Sequence, residues 1–158
     1  MTHLVRLLVL DVDGVLTDGR LWYGADGEVL KGFHVRDGYG IKALLAIGIE
    51  VAIISGRSSP AVTRRATELG IRHVVQGCDD KGRAFDALCA ALRVEPAAVA
   101  CIGDDTPDLP MLERAGLAVA VADAHPDVRA RADRVTTLPG GHGAVREVCD
   151  WLLAGTAS

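Results

Sequence analysis

The chain has 158 residues and a formal net charge of −4, and 49% of its residues are hydrophobic. This size and composition are typical of one folded domain, which we expect to span residues 1–158. The lysines and arginines are scattered without a basic run, which argues against a protein that binds nucleic acid or a membrane surface. No apolar run reaches the roughly 18 residues of a membrane span, and no signal-peptide pattern opens the sequence. We therefore expect a cytoplasmic protein.

The four cysteines fit that location. They are Cys78, Cys89, Cys101 and Cys149. None of them belongs to a CxxC pair, and all lie in or beside apolar runs. We expect reduced, mostly buried thiols rather than a zinc or redox site.

Short apolar runs alternate with helical patterns along most of the chain. The runs typical of buried strands are Leu4–Leu10, Glu50–Ile54, His73–Gln76, Val99–Ile102 and Leu117–Val121. Helical patterns cover residues 37–47, 59–69, 80–92, 107–115 and 143–154. This alternation predicts the α/β class, with a Rossmann-like, open parallel sheet flanked by helices.

One segment interrupts the alternation after the first strand. Arg20–Gly24 and Glu28–Val35 flank the turn sequence Ala-Asp-Gly, which predicts an inserted β-hairpin at about residues 20–35. A two-stranded hairpin is only marginally stable in water. We expect this one to pack against another surface, which need not belong to the same chain.

Polar residues follow the predicted strands at the points where these end. Asp11 and Asp13 follow the first strand, Ser55 the second and Asp104 the fourth, while Lys81 opens the helix after the third. Ligands of open parallel sheets bind beyond the carboxyl ends of the strands, so we expect these residues to converge. Each of them alone is more often a turn, cap or surface residue. Together, at successive strand ends, they predict a functional site.

The crowding of carboxylates indicates a metal. Asp11 and Asp13 are two residues apart in extended chain, so their side chains share a direction. Adding Asp104 would strongly raise one pKa unless a cation intervenes, and oxygen ligands without His or Cys favour Mg²⁺. Ser55 and Lys81 can contact a phosphoryl group bound to such an ion. One aspartate then serves as nucleophile, through an aspartyl-phosphate, and another as acid and base.

Four motifs carry a resemblance to a known family. They are Asp11-Val-Asp13-Gly14-Val-Leu-Thr, Ser55-Gly56-Arg57, Lys81 and Gly103-Asp104-Asp105-Thr-Pro-Asp108. They resemble the signature motifs of the haloacid dehalogenase superfamily of phosphatases. The resemblance implies that Asp11 is the nucleophile, that Asp13 is the general acid and base, and that Ser55 and Lys81 hold the phosphate.

The same resemblance implies a ligand set for Mg²⁺. The ion would be bound by Asp11, Asp104 and the backbone carbonyl of Asp13. Supporting roles would fall to Gly56, Asp105 and Asp108.

Three further blocks narrow the resemblance. They are Val35-Arg36-Asp37-Gly38-Tyr39-Gly40-Ile41, residues 118–126 and residues 143–150. With them the chain resembles 3-deoxy-D-manno-octulosonate 8-phosphate phosphatases, which release phosphate during synthesis of the sugar acid of bacterial lipopolysaccharide. A related branch, acting on a nine-carbon sugar-acid phosphate, has Glu at the position of Arg57. Arg57 therefore favours the eight-carbon substrate, and the nine-carbon one remains the alternative.

The family pattern also implies a set of substrate contacts. These are Asp13, His34, Val35, Arg36, Asp37, Gly38, Lys42, Arg57, Arg65 and Lys81. The substrate is a small sugar acid that carries a carboxylate and a phosphate. Arginine suits such a ligand because its guanidinium can bind a carboxylate through two hydrogen bonds.

Chain length leaves no room for a cap domain over the site. Residues 14–54 separate Asp13 from Ser55, and residues 56–80 separate Ser55 from Lys81; the predicted elements fill both intervals. Phosphoryl transfer benefits from the exclusion of water, which a partner subunit can provide. The resemblance implies a homotetramer in which the hairpins shield neighbouring sites.

The chain departs from the family pattern in two places. His142 stands where relatives commonly have Arg, and the tail after Leu153 is shorter than in relatives whose tail can fold over the site.

Two rival hypotheses are a signalling receiver domain and a non-catalytic phosphatase-like assembly domain. A signalling receiver domain would need its acceptor Asp at the end of the third strand, where Gln76 stands. A non-catalytic phosphatase-like assembly domain would have no need of the intact motifs.

Overall fold

A computed structural model describes residues 4–156 of the chain. Its eight strands are β1 (Leu7–Leu10), β2 (Trp22–Gly24), β3 (Gly27–Leu30), β4 (Glu50–Ile54), β5 (His73–Val75), β6 (Val99–Gly103), β7 (Leu117–Ala120) and β8 (Arg134–Val135). Six of them form one parallel sheet in the order β5-β4-β1-β6-β7-β8, and β2 and β3 form a separate antiparallel hairpin.

Helices connect the strands and flank the sheet. They are α1 (Val35–Ala46), α2 (Pro60–Leu69), α3 (Lys81–Leu92), α4 (Leu109–Leu112), α5 (Pro126–Arg131) and α6 (Ala144–Thr156). Helix α1 packs against α6, and α3 packs against α4. The α/β class and the Rossmann-like parallel sheet predicted from the sequence are confirmed.

The central strands are buried because helices cover both faces of the sheet. All four residues of β1 are fully buried, as are Val51, Ala52 and Ile54 of β4. A strand buried on both faces has no polar side to present, which explains the continuous apolar runs in the sequence. The core that results is one continuous cluster and includes the fully buried Phe85 of α3.

The helix ends follow local sequence signals. Pro60 occupies the first turn of α2, and Gly70 ends that helix in the left-handed conformation, with φ of 82°. The Asp80 carboxylate accepts a hydrogen bond from Arg83 N–H and so caps α3. This cap begins α3 at Lys81 and directs that lysine from the first turn of the helix toward the end of β1.

The structure differs from the sequence-based prediction in three places. Helix α5 and strand β8 were not predicted, because β8 has two exposed residues and α5 is short and polar. The hairpin strands are shorter than predicted, and residue 35 belongs to α1. The helix predicted over 107–115 is a 3₁₀ turn at Thr106–Asp108 followed by the four-residue α4, because Asp108 turns back to cap the start of the segment.

The hairpin leaves large apolar side chains uncovered. Trp22 is 51% exposed, Tyr23 62%, Val29 62% and Leu30 52%. Val35 and Tyr39, at the start of α1, extend this exposed apolar surface. We call residues 21–30 together with Val35 and Tyr39 the hairpin surface.

The structure also shows the state of the cysteines and the length of the apolar helices. Cys89, Cys101 and Cys149 are buried, Cys78 is half-buried, and all four are free thiols. Within residues 4–156, no helix has both the length and the apolar character required to cross a bilayer.

Candidate active site

The register of the sheet brings the motif residues to one edge. In β1, Leu7 is paired with Glu50 of β4 on one side and with Val99 of β6 on the other. The three strands therefore end at nearly the same level, and the residues that follow them surround a cavity of about 320 Å³. Its lining consists of Asp11, Asp13, Gly19, Ser55, Gly56, Arg57, Lys81, Asp104, Asp105, Pro107 and Asp108.

Lys81 links two carboxylates at the floor of the cavity. Its Nζ lies 2.8 Å from Asp11 Oδ1 and 2.5 Å from Asp108 Oδ1, and all three side chains are buried. Burial alone would lower the pKa of Lys81, but the two carboxylates outweigh burial and raise it above its usual range. The side chain therefore stays an ammonium, which can also contact a bound phosphoryl group.

The aspartates around this lysine have strongly perturbed pKa values. Burial, and then the charge of Asp108, raise the pKa of Asp11 to about 6 despite the opposing effect of Lys81. Burial, and then the contact with Asp11, raise the pKa of Asp104 to about 9. Without a cation the site therefore holds protons at neutral pH, which is the crowding that the sequence predicted for these carboxylates.

Three carboxylates are close enough to share a divalent cation. Oxygen atoms of Asp11, Asp104 and Asp108 all lie within 4.8 Å of one another. Asp108 has both oxygens engaged, Oδ1 with Lys81 and Oδ2 with the N–H groups of Asp104 and Asp105. Asp11 and Asp104 are thus the carboxylates best able to reach an ion, and their hard oxygens fit Mg²⁺.

The Asp13 carboxylate turns away from that group and toward the hairpin. Its Oδ1 accepts a 2.6 Å hydrogen bond from Lys31 Nζ, and its Oδ2 lies 3.9 Å from Arg57 Nε. The family resemblance implies that Asp13 binds the metal through its backbone carbonyl. The contacts of the carboxylate are consistent with that, because they leave the carbonyl as the group available to an ion. Asp13 still lines the cavity, where its second oxygen remains available.

Glu28 and Lys31 contact residues of the candidate site and were not predicted from the sequence. Glu28 Oε2 accepts hydrogen bonds from Lys31 Nζ at 3.2 Å and from Arg57 Nη2 at 3.1 Å. Partial burial would raise the pKa of Glu28, but these two hydrogen bonds outweigh it and lower the pKa. Both residues lie in or beside the hairpin with no motif around them, so the only available signal was the hairpin's position after the first motif.

Ser55 is held in place by backbone hydrogen bonds. Its N–H donates to the carbonyl of Val75, and its carbonyl accepts from the N–H of Cys78. The side chain is buried at the cavity wall next to Gly56 and Arg57, as the motif predicts.

Several predicted substrate contacts lie outside the cavity of the single chain. These are His34, Val35, Arg36, Asp37, Gly38, Lys42 and Arg65, which lie on or beside α1 and α2. His34 caps α1 through Nδ1, which accepts from Arg36 N–H, and Arg65 packs against Gly38. Their substrate contacts stay predictions.

Asp37 has a structural role. Its side chain is buried, and Oδ1 accepts a hydrogen bond from Arg146 N–H in the first turn of α6. Burial raises the pKa of Asp37, and the hydrogen bond from Arg146 only partly offsets that effect. The carboxylate therefore ties α1 to the amino-terminal end of α6, where a negative charge is favourable.

Comparison with known proteins identifies the family of the chain. Residues 73–147 match the model of the haloacid dehalogenase-like hydrolases. The 3-deoxy-D-manno-octulosonate 8-phosphate phosphatase of Escherichia coli is 56% identical over 149 residues, which cover 94% of this chain and 79% of that protein.

Solved structures agree with this match. The crystal structure of the 3-deoxy-D-manno-octulosonate 8-phosphate phosphatase from Yersinia pestis superimposes with a TM-score of 0.96 at 50% identity, covering 99% of this chain and 84% of that one. The Moraxella catarrhalis phosphatase, in complex with a magnesium ion, a phosphate ion and a 3-deoxy-D-manno-octulosonate (KDO) molecule, gives 0.94 at 46% identity, covering 97% and 88%. The chain belongs to the haloacid dehalogenase-like hydrolases and, among them, to the 3-deoxy-D-manno-octulosonate 8-phosphate phosphatase family.

Proposed function

We propose that the protein is a Mg²⁺-dependent phosphomonoesterase that hydrolyses 3-deoxy-D-manno-octulosonate 8-phosphate to the free sugar acid and phosphate. The observation that carries this proposal is the convergence of Asp11, Ser55, Lys81 and Asp104 on one cavity. Asp11, Ser55 and Asp104 each follow a different strand, and Lys81 opens α3. Together they supply the nucleophile, phosphate ligands and metal ligands of phosphoryl transfer. A close relative carries the substrate's name, and another was solved with magnesium, phosphate and KDO.

Asp11 and Asp104 would hold the ion, with the backbone carbonyl of Asp13 as a third ligand. Bound Mg²⁺ supplies positive charge that offsets the crowded carboxylates and draws phosphoryl oxygens into the cavity. Asp108, already bonded to Lys81 and to two backbone N–H groups, fixes the loop that carries Asp104.

The reaction has two steps with opposite proton movements. In the first, an Asp11 carboxylate oxygen attacks phosphorus while the Asp13 carboxyl group protonates the sugar oxygen that leaves. In the second, the Asp13 carboxylate accepts a proton from the water that attacks the aspartyl-phosphate, and Asp11 is released. Ser55 and Lys81, which both line the cavity with Asp11, donate hydrogen bonds to the phosphoryl oxygens in both steps.

We assign substrate selection to Arg57 and to the other predicted contact residues. Arg57 lines the cavity beside Asp13, and its guanidinium lies where the carboxylate end of a sugar acid can reach it. The remaining predicted contacts, His34 to Gly38, Lys42 and Arg65, follow the hairpin in the chain or face the start of α1. In our proposal they act once a neighbouring copy closes the site.

The proposed assembly is a homotetramer, and two observations support it. The cavity is open on one side with no cap domain, and the hairpin surface exposes Trp22, Tyr23, Val29 and Leu30. Exposed apolar side chains of this size, concentrated in one short hairpin, commonly mark a protein interface. We also propose that residues 1–158 form one domain in the cytoplasm, which agrees with the single core and the four free thiols.

A phosphate-release screen tests the proposal. Purified protein is assayed with the eight-carbon acid phosphate, the nine-carbon acid phosphate and ordinary sugar phosphates, each with Mg²⁺ or with chelator. We expect the largest kcat/KM for the eight-carbon substrate and no turnover with chelator. A larger kcat/KM for the nine-carbon acid would reassign the substrate, and no phosphate release from any of them would favour the non-catalytic assembly domain.

A further inference from the structure

The hairpin places a buried lysine directly on the carboxyl group proposed as acid and base. Lys31 follows β3, and its Nζ lies 2.6 Å from Asp13 Oδ1 and 3.2 Å from Glu28 Oε2. The Lys31 side chain is only 1% exposed. An ammonium loses its hydration at such a position, and the two carboxylates are what compensate for that loss.

The contact engages only one of the two oxygens of Asp13. Oδ1 is bonded to Lys31, whereas Oδ2 lies 3.9 Å from Arg57 Nε, which is beyond hydrogen-bond distance. Asp13 is among the residues that line the cavity, and Lys31 is not. Lys31 therefore contacts the Asp13 carboxyl group without itself lining the cavity.

Glu28 fixes the position of the lysine in turn. Its Oε2 accepts from both Lys31 Nζ and Arg57 Nη2, so one carboxylate oxygen binds both cations. The Arg57 guanidinium also donates to the hydroxyl of Tyr23 on β2. The hairpin thus contributes an ordered chain of charged groups that ends on Asp13.

We propose that Lys31 is a positioning residue for the proton transfers of Asp13: it anchors Oδ1 and so directs Oδ2 toward the leaving oxygen. The inference rests on the proposed function, because it takes Asp13 as the general acid and base. Lys31 exchanges no proton itself. Asp13 Oδ2 gives its proton to the leaving oxygen in the first step and takes one from water in the second.

The test uses the dependence of rate on the leaving group. p-Nitrophenolate leaves without protonation because its nitro group delocalises the charge, whereas phenolate and an alkoxide need a proton donor. The quantity to compare is kcat/KM, which reports the steps from free enzyme and substrate up to and including the first irreversible one and is independent of later steps. Lys31→Met should lower kcat/KM for phenyl phosphate and for the sugar-acid phosphate by about 10- to 100-fold, part of what general acid catalysis contributes. For p-nitrophenyl phosphate the loss should stay below threefold.

A double-substitution cycle gives an independent measure with the sugar-acid phosphate alone. In an Asp13→Asn background, Lys31→Met should have no further effect on kcat/KM, since the group it positions is gone. Independent, multiplying losses would overturn the inference. Arg72→Met is the control for loss of a surface ion pair, because Arg72 pairs with Glu50 at 3.0 Å and its side chain is 75% exposed. It should leave kcat/KM unaffected for all three substrates.

A folding defect in Lys31→Met would also lower activity and has to be distinguished from the loss of the positioning role. Thermal melting and sedimentation establish whether Lys31→Met folds and assembles like the wild type. If it does not, Glu28→Gln decides the matter: a several-fold loss with phenyl phosphate and none with p-nitrophenyl phosphate supports the inference, and equal losses overturn it. An inactive wild-type protein would instead contradict the proposed function, and an active wild type with leaving-group-independent losses contradicts only the role of Lys31.

Discussion

Gly14 and Asp104 approach each other so closely that no side chain fits between them. A β-carbon built on Gly14 would lie 1.8 Å from Asp104 Oδ2, and Gly14 also has a φ of +87°. The backbone after β1 thus forms one wall of the place occupied by the Asp104 carboxylate. The glycine in this motif is required by the position of a proposed metal ligand as well as by backbone conformation.

Gly14→Ala is expected to displace Asp104 and weaken Mg²⁺ binding. We expect the Mg²⁺ concentration for half-maximal activity to rise at least tenfold. Gly48→Ala is the matched control, because Gly48 has a φ of +88° and nothing within 4 Å of an added β-carbon. It should cost about 1 to 2 kcal/mol of stability from backbone strain and leave the Mg²⁺ requirement unchanged. Equal Mg²⁺ requirements in the two variants would contradict this account of Gly14.

Asp11→Asn is expected to abolish turnover while the fold persists. The amide has the size of the carboxyl group but cannot attack phosphorus, so we expect phosphate release to fall on the order of 10³-fold or more. Circular dichroism and thermal melting should remain like those of the wild type. Asp86→Asn removes an exposed carboxylate that pairs with Arg114 and should be silent. Appreciable residual activity in Asp11→Asn would remove Asp11 as the nucleophile.

Mg²⁺ binding is expected to release protons and to strengthen as pH rises. Without metal the pKa of Asp104 is about 9 and that of Asp11 about 6, whereas a ligand to Mg²⁺ must be deprotonated. The ion therefore displaces protons from this pair of carboxyl groups at neutral pH, and its apparent affinity should increase between pH 6 and pH 9.

Calorimetry in two buffers with different ionisation enthalpies measures this proton release directly. In Asp104→Asn the proton release should fall, because the carboxyl group whose pKa is raised the most has been replaced by an amide. A pH-independent affinity of the wild-type protein between pH 6 and pH 9 would be inconsistent with the crowded site.

The hairpin surface is expected to hold the oligomer together. Leu30→Glu places a charge on an exposed apolar residue of that surface and should shift sedimentation from tetramer toward smaller species, with a loss of activity. Val135→Glu alters an exposed apolar residue of β8, an edge strand of the six-stranded sheet to which the hairpin does not belong, and should leave the assembly intact. A wild-type protein that is monomeric at micromolar concentration and fully active would refute the shielding role.

Local sequence signals were sufficient for the sheet and for the main residues of the site. The apolar run that contains Leu7–Leu10 has no polar alternation, which is possible only for a strand covered on both faces. Because parallel strands in register end at one level, the residues that follow them had to converge, and Asp11, Ser55 and Asp104 do. Helix α5 and strand β8 escaped prediction because short, exposed elements carry little hydrophobic periodicity.

The sequence by itself determined the class of fold, the edge where chemistry takes place and the family of the chain, because these depend on apolar runs, caps and motifs that are local. Only the tertiary structure decided which way the Asp13 carboxylate faces and that Lys31 lies upon it. That contact joins residues 18 positions apart through a hairpin. No local pattern distinguishes a lysine that will be buried between two carboxylates from one that stays in water, since the difference arises only when the chain packs.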